Sequence, residues 1–167
     1  MEIQTERLRI RSFDHSDLDP YASIVADART VAYLGDRQTH SKRQAHQYVL
    51  DCIAREVSTG ISRFAVELRA TEQFIGFTGF KKISGWIDFG YRFSPEHWGK
   101  GYATEAGDAA IEYGWDRLNL DHVVAGVDPK NHASSTVLKK LKFEPRSCPV
   151  GLDPSCEWFE LNRVAMI

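Results

Sequence analysis

The chain has 167 residues, enough for one domain over 1–167 with a sizeable core, and its 43% apolar and 26% charged content is that of a soluble globular protein. A net charge of −2 gives no reason to expect nucleic acid or an anionic membrane as partner. No apolar run is long enough to span a bilayer, and the Met1–Glu6 start lacks the apolar core of a signal peptide. Cys52, Cys148 and Cys156 make no disulfide framework. Cys148 and Cys156 could pair if two strands bring them together, but the set reads as intracellular thiols of a cytoplasmic protein, and no Cys/His spacing suggests a metal.

Thr5 to Ser12 alternates around Leu8 and Ile10 and predicts a first strand. Asp14 is placed to cap a helix that carries Leu18, Tyr21, Ile24 and Val25 inward. Asp27 to Thr39 reads as irregular, with Gly35 near its centre. Ser41-Lys42-Arg43-Gln44 fits a capping box for a second helix that buries Ala45, Tyr48, Val49, Cys52, Ile53 and Val57 and stops at Thr59-Gly60. Three strands follow, with Phe64, Val66 and Leu68 in the first, Phe74 to Phe80 the second and Trp86 to Phe93 the third. Turns at Ala70-Thr71-Glu72 and Ser84-Gly85 make them an antiparallel meander.

The next stretch, His97-Trp98-Gly99-Lys100-Gly101-Tyr102-Ala103-Thr104-Glu105-Ala106, is a glycine-rich turn that opens a long helix. Ala103, Ala106, Gly107, Ala110, Ile111, Gly114, Trp115 and Leu118 recur at helical spacing along it. Glycines at a helix entrance leave backbone N–H groups uncovered where the helix dipole is positive, which suits phosphate or pyrophosphate; the plainer reading is a tight connection. Neither a Walker loop nor the dinucleotide fingerprint is present, since no Gly-Lys-Ser/Thr follows a spacer and the third glycine is missing. His122 to Val127 then predicts a buried strand. Asp128-Pro129-Lys130-Asn131 is a loop whose Asn131 caps a helix burying Ala133, Val137, Leu138 and Leu141. Phe143-Glu144-Pro145 ends that helix, 146–155 reads as loop or ragged strand, and Cys156 to Val164 as the last strand, with Trp158 and Phe159 on opposite faces. The order β-α-α-β-β-β-α-β-α-β means an α+β (mixed α/β) fold.

Trp98-Gly99-Lys100-Gly101-Tyr102-Ala103 resembles the coenzyme A loop of the GNAT N-acetyltransferases, Arg/Gln-x-x-Gly-x-Gly/Ala, with Trp98 in place of the usual Arg or Gln. Trp-Gly-x-Gly-Tyr-Ala-Thr-Glu-Ala is the form of the RimJ/RimL-type subgroup, which also opens with Thr-Glu-Arg-Leu-x-Ile-Arg and an Asp-led helix, so the resemblance covers nearly the whole chain. It implies a twisted, mixed, mostly antiparallel sheet that splays between the strand before the loop and the strand after the long helix. It further implies acetyl-CoA as co-substrate, with no metal.

On that resemblance the loop residues Trp98, Gly99, Lys100, Gly101, Tyr102, Ala103 and Thr104 hold the pyrophosphate. The main chain of Tyr91-Arg92-Phe93 pairs with the pantetheine arm as an extra strand, and the N–H near Phe93 serves the oxyanion. Asn131-His132-Ala133-Ser134 matches the family's Asn-x-x-Ser/Ala, giving Asn131 and Ser134 cofactor contacts beside Asn131's capping role. Leu138 stands where many members carry a proton-donating Tyr, leaving Ser134 or water as general acid. Asp88 falls where the subgroup often has Glu and is the expected general base acting through water; the plain alternative is a solvated strand carboxylate. Glu105 reads as structural, His97 as a surface residue, and Tyr33, His40, His46 and Tyr48 as core or surface residues that the family's architecture would bring near the acceptor. The acceptor expected is a small-molecule or peptide amine, with an α-amine favoured, taken by a monomer or homodimer. A non-catalytic acetyl-CoA-binding module, unrelated nucleotide binding at the glycine turn, and polyamine or aminoglycoside acetylation stay open.

Overall fold

The computed structural model describes residues 1–34 and 37–163. Its strands are β1 (Glu2–Gln4), β2 (Leu8–Arg11), β3 (Arg63–Leu68), β4 (Phe74–Ile83), β5 (Trp86–Phe93), β6 (His122–Val127), β7 (Glu144–Arg146) and β8 (Glu157–Asn162). Its helices are α1 (Leu18–Val25), α2 (Ala28–Val31), α3 (Lys42–Thr59), α4 (Tyr102–Arg117) and α5 (His132–Lys140). All eight strands form one sheet in the order β1-β2-β3-β4-β5-β6-β8-β7, antiparallel throughout except for the parallel contact of β5 with β6. This is the expected α+β arrangement.

Strand alternation divides the core between the two sheet faces. Phe64, Val66, Phe80, Phe89 and Phe93 pack with Ala106 and Ala110 of α4 and Leu138 of α5. Ala65 and Phe77 pack on the other face with Tyr21 and Val25 of α1, Val31 of α2, and Ala45, Val49 and Cys52 of α3. Ser41 makes the expected capping box and Gly60 ends α3 in the left-handed conformation at φ +72°, while Asp14 caps a single 3-10 turn, His15–Asp17, that leads into α1.

Several features depart from the sequence expectation, among them Ala133, expected to be buried but exposed in the first turn of α5. The first strand is a hairpin, because the Thr5 hydroxyl accepts from the Leu8 N–H at 3.0 Å and turns the chain. Asp27 caps the short helix α2 inside the stretch read as irregular; Gly35 lies outside the described residues. Val57 is 86% exposed rather than buried, since five residues past Cys52 it sits off the buried stripe. Glu144–Arg146 pairs with β8 instead of only ending a helix, and Val164, the expected end of the last strand, lies outside the described residues.

β5 pairs with β4 at eight positions, from Ile83↔Trp86 to Gly76↔Phe93, but meets β6 only at Asp88↔Val124. β6 pairs instead with β8 along its whole length. Beyond Asp88 the two parallel strands therefore part, and the β6-side edge of Phe89–Phe93 has no strand partner.

The first turn of α4 is fastened beside this opening by Glu105. Its carboxylate accepts from the Thr5 hydroxyl at 2.5 Å, the Arg7 N–H at 2.9 Å and the Arg7 Nε at 2.7 Å. Arg7 also donates to the Lys100 carbonyl at 2.9 Å and lies over the Tyr102 ring at 4.6 Å. Burial raises the Glu105 carboxyl, but the Thr5 and Arg7 contacts outweigh it and hold the group below its ordinary 4.5. A carboxylate depressed on folding stabilises fully above its unfolded value and loses that contribution as pH falls through its folded one. We predict that Glu105→Gln costs about 2 kcal/mol at neutral pH. The gap in melting temperature from the parent should narrow as the pH is lowered into and below the carboxylate range. A gap that stays constant on acidification would show that the ionised form carries no weight there.

Candidate active site

The parting of β5 and β6 opens a groove of about 730 Å³, lined by Phe89–Phe93 on one wall, Ala125–Asp128 on the other, the loop from His97 to Thr104 excepting Lys100, and Asn131–Ser134 of the α5 entrance. Gly99 and Gly101 adopt φ of +72° and +83°, which side-chain-bearing residues rarely hold. Gly101 is the N-cap of α4 and offers no side-chain cap. The N–H groups of Tyr102, Ala103 and Thr104 thus have no protein acceptor among the described residues, while Glu105 N–H already bonds the Gly101 carbonyl at 3.0 Å. Three free donors at the positive end of a sixteen-residue helix can receive a phosphate or pyrophosphate. Trp98 ties the loop to the strand, its indole N–H donating to the Phe93 carbonyl at 2.7 Å. His97 lines the groove rather than only the surface; burial, then Lys100, pushes its imidazole below the usual value, and Ser94 Oγ sits 2.6 Å from its Nδ1.

On the β5 wall, Phe89, Tyr91 and Phe93 point to the α4/α5 side of the sheet. The Tyr91 hydroxyl reaches the first turn of α5, donating to the Ser134 carbonyl at 3.1 Å and lying 2.8 Å from Ser134 Oγ. Burial pushes this phenol up to about 12, with the Ser134 contact opposing, so it is protonated at neutral pH. Asn131 Oδ1 accepts from the Ser134 N–H at 3.1 Å, which fixes the cap and leaves the carboxamide NH2 without a protein partner among the described residues. Leu138 is buried in the core, as its apolar side chain requires.

Tyr91, Phe93, Trp98, Gly99, Gly101, Tyr102, Ala103, Thr104, Asn131 and Ser134 therefore surround one groove. Two residues expected with them do not. The Lys100 side chain lies outside the lining while its carbonyl is held by Arg7. Asp88 sits at the root of the groove, not in its lining, and its carboxylate is bonded by Arg63, whose guanidinium also donates to the Asp88 carbonyl at 3.0 Å and to the Gly79 carbonyl. Burial pushes the Asp88 carboxyl up, while Arg63 and the Gly126 N–H pull it back. This carboxylate fastens β5 where β6 leaves it. Of the residues named near the acceptor end, Tyr33 lines the groove, Tyr48 stacks on Tyr21 at 5.0 Å, and His46 Nε2 is 2.8 Å from Asp19. His40 Nδ1 is buried with no hydrogen-bond partner among the described residues.

A splayed α+β sheet with a capless helix at its open edge offers an unpaired strand edge to an extended ligand and free amides to a phosphate. A family profile for the acetyltransferase (GNAT) domain matches residues 7–144. The uncharacterized N-acetyltransferase p20 of Bacillus licheniformis is 30% identical over 145 residues, 85% of this chain and 82% of that protein. An acetyltransferase from Agrobacterium tumefaciens superposes with a TM-score of 0.87 at 22% identity, covering 98% of this chain and 95% of that one. RimL, a ribosomal alpha-N-protein acetyltransferase solved with coenzyme A, superposes at 0.82 with 16% identity, covering 97% and 98%. The chain belongs to the GNAT acetyltransferase family and is an acetyl-CoA-dependent N-acetyltransferase. Among the described residues no group of three His, Cys, Asp or Glu side chains could hold a metal, and no helix is long and apolar enough to cross a membrane.

Sequence reasoning missed Arg7 and the phenol of Tyr91. Arg7 lies in the Thr-Glu-Arg-Leu opening but acts on a loop more than ninety residues away. The signal for Tyr91 was its parity with Phe89 and Phe93, which puts its side chain on the α5 face. The Asp88–Arg63 pair yields a direct check. Asp88→Asn leaves a buried guanidinium without its counter-charge and should lower stability by about 3 kcal/mol in urea unfolding, with turnover falling only as the folded fraction falls. Unchanged stability with a large loss of turnover would return Asp88 to the chemistry.

Proposed function

We propose that the protein acetylates an α-amine, of a peptide, a protein N-terminus or an amino acid. The observation that carries this reading is the groove itself: an unpaired strand edge, Phe89–Phe93, beside the free amides of the α4 entrance, with the Tyr91–Ser134 hydroxyl pair between them. In this reading the amides of Tyr102, Ala103 and Thr104 hold the pyrophosphate of acetyl-CoA, and the main chain of Tyr91–Phe93 aligns the pantetheine arm as an added strand would. Asn131 offers its free NH2 to the same arm. Tyr91 and Ser134 together supply the proton to the departing thiolate, a role that Leu138 cannot fill.

The choice of amine follows from how little base the groove provides. Asp88 is engaged by Arg63, and the one carboxylate among the lining residues, Asp128, already accepts from Arg37 at 3.2 Å and from the Lys130 N–H at 2.8 Å. The α-amine of a peptide or protein has a reference pKa of about 8 against about 10.4 for lysine, so its neutral fraction at pH 7 is roughly a hundredfold larger or more. RimL, whose architecture this chain shares, acts on protein α-amines by its name. Paired peptides with one free α-amine or one free ε-amine, assayed for thiol release from acetyl-CoA, test the reading. The α-amine peptide should be preferred, and Tyr91→Phe and Ser134→Ala should each lower kcat by about 10²-fold or more. Preference for the ε-amine would overturn the amine assignment, and parental rates in both variants would overturn the proton path.

A further inference from the structure

Two arginines lie beneath the aromatic cluster on the α1/α3 face of the sheet, and only one has a carboxylate. Arg63 is buried and paired with Asp88. Arg92, two strand positions on from Gly90 and on the same face, is half-buried and lines the groove. Its guanidinium donates to the Tyr21 hydroxyl at 2.9 Å and lies 5.6 Å from the Phe77 ring centre, and no carboxylate among the described residues reaches it. A partly desolvated cation held by a phenol and a ring face is incompletely compensated, and a carboxylate is an anion whose two oxygens match a guanidinium. Gly90 leaves room for Arg63, since a Cβ there would come within 2.9 Å of its guanidinium, and both arginines lie against the Phe77 ring.

Placement separates this cation from the pyrophosphate anchor. α4 packs on the face of β5 that carries Phe89 and Phe93, whereas Arg92 projects from the opposite face among Tyr21 and Phe77. It stands four residues beyond Asp88 on β5, and Asp128 stands four residues beyond Val124, the partner of Asp88 on β6. Past their last pairing the diverging segments thus carry a cation on one wall of the groove and, just beyond the end of β6, a carboxylate on the other. Besides the Lys130 N–H, Asp128 is held among the described residues by Arg37, which is 57% exposed, an ion-pair partner that an incoming ammonium can displace.

We propose that the acceptor is an amine bearing a nearby carboxylate, which Arg92 binds, while Asp128 draws in the ammonium end. The inference rests on the α-amine transfer proposed above and deepens it. The carboxylate belongs either to a free amino acid or to an acidic side chain near a peptide N-terminus. Arg92 also disfavours the ammonium form of the bound amine, since like charges oppose one another.

The test compares kcat/KM for matched pairs in the full-length protein: alanine with alaninamide, an Asp-Ala peptide amide with its Asn-Ala counterpart, and Nα-acetyl-lysine with its amide. A carboxylate raises the pKa of its own amine and so lowers the neutral fraction, and preference for an acid therefore reports binding. We expect one of the first two acids to exceed its amide by about tenfold or more. The alanine pair identifies the amino acid as source, and the Asp pair identifies the acidic peptide. Arg92→Gln should bring that ratio close to one, and Arg92→Lys should keep part of it. Acid preference confined to the lysine pair would keep the role of Arg92 while overturning the α-amine reading. Equal rates for acid and amide in every pair, no turnover across the panel, or an Arg92→Gln variant that keeps the parental ratio would overturn the inference, and the parental comparison decides even if the variant does not fold.

Discussion

Everything the site can do depends on two parallel strands that meet once and then part. Hydrogen bonding would carry β5 and β6 together to their ends if nothing prevented it, but β6 is committed to β8 along its length and touches β5 only at Asp88↔Val124. Sheet edges left unpaired inside a protein are costly, because each main-chain donor and acceptor must find a partner. Here the unpaired edge faces a groove rather than a neighbouring strand, so a ligand with amide groups can take the place of the missing pairing. The Arg63–Asp88 pair stands at the point of divergence and ties the last shared position to β3 and β4.

The two faces of the sheet then divide the work. On one, α4 and α5 aim their N-terminal turns at the groove, bringing free amides from the first and the Ser134–Tyr91 hydroxyls from the second. On the other, α1, α2 and α3 cover an aromatic cluster in which Tyr21 and Tyr48 stack and two guanidinium groups are held. The clamp of Thr5 and Arg7 on Glu105 makes the position of the α4 entrance depend on the hairpin at the chain's start, so the loop is set by tertiary contacts as well as by its glycines.

How much of this could be read in the sequence varies with the range of the interaction. Local signals were legible: the Asp14 cap, the capping box at Ser41, the glycine turn before α4 and the Asn131 cap each rest on residues within four positions of one another, and the meander from Phe64 to Phe93 shows in strand alternation and its two turns. The membership of the groove was largely legible too, since the resemblance around Trp98–Ala103 and Asn131–Ser134 places those residues together. What escaped were contacts that cross the sheet. Asp88 looked like an available base because nothing in Trp86–Phe93 reveals that Arg63, twenty-five residues earlier, reaches its carboxylate. Tyr91 was read for its main chain, and its phenol became informative only when the start of α5 came to lie beside it. Val57 was misassigned for a smaller reason, an apolar residue off the buried stripe of its helix.

The central claim is that the parting of β5 and β6 is where coenzyme A binds. Amide hydrogen exchange followed residue by residue, with and without saturating coenzyme A, addresses it most directly, because it reads the backbone groups that the account assigns. Binding should slow exchange at Tyr102, Ala103 and Thr104 and along Phe89–Phe93, with little change on β1, β7 and the outer face of α3. Saturation by coenzyme A that leaves those amides exchanging as before, or that protects another surface instead, would contradict the account.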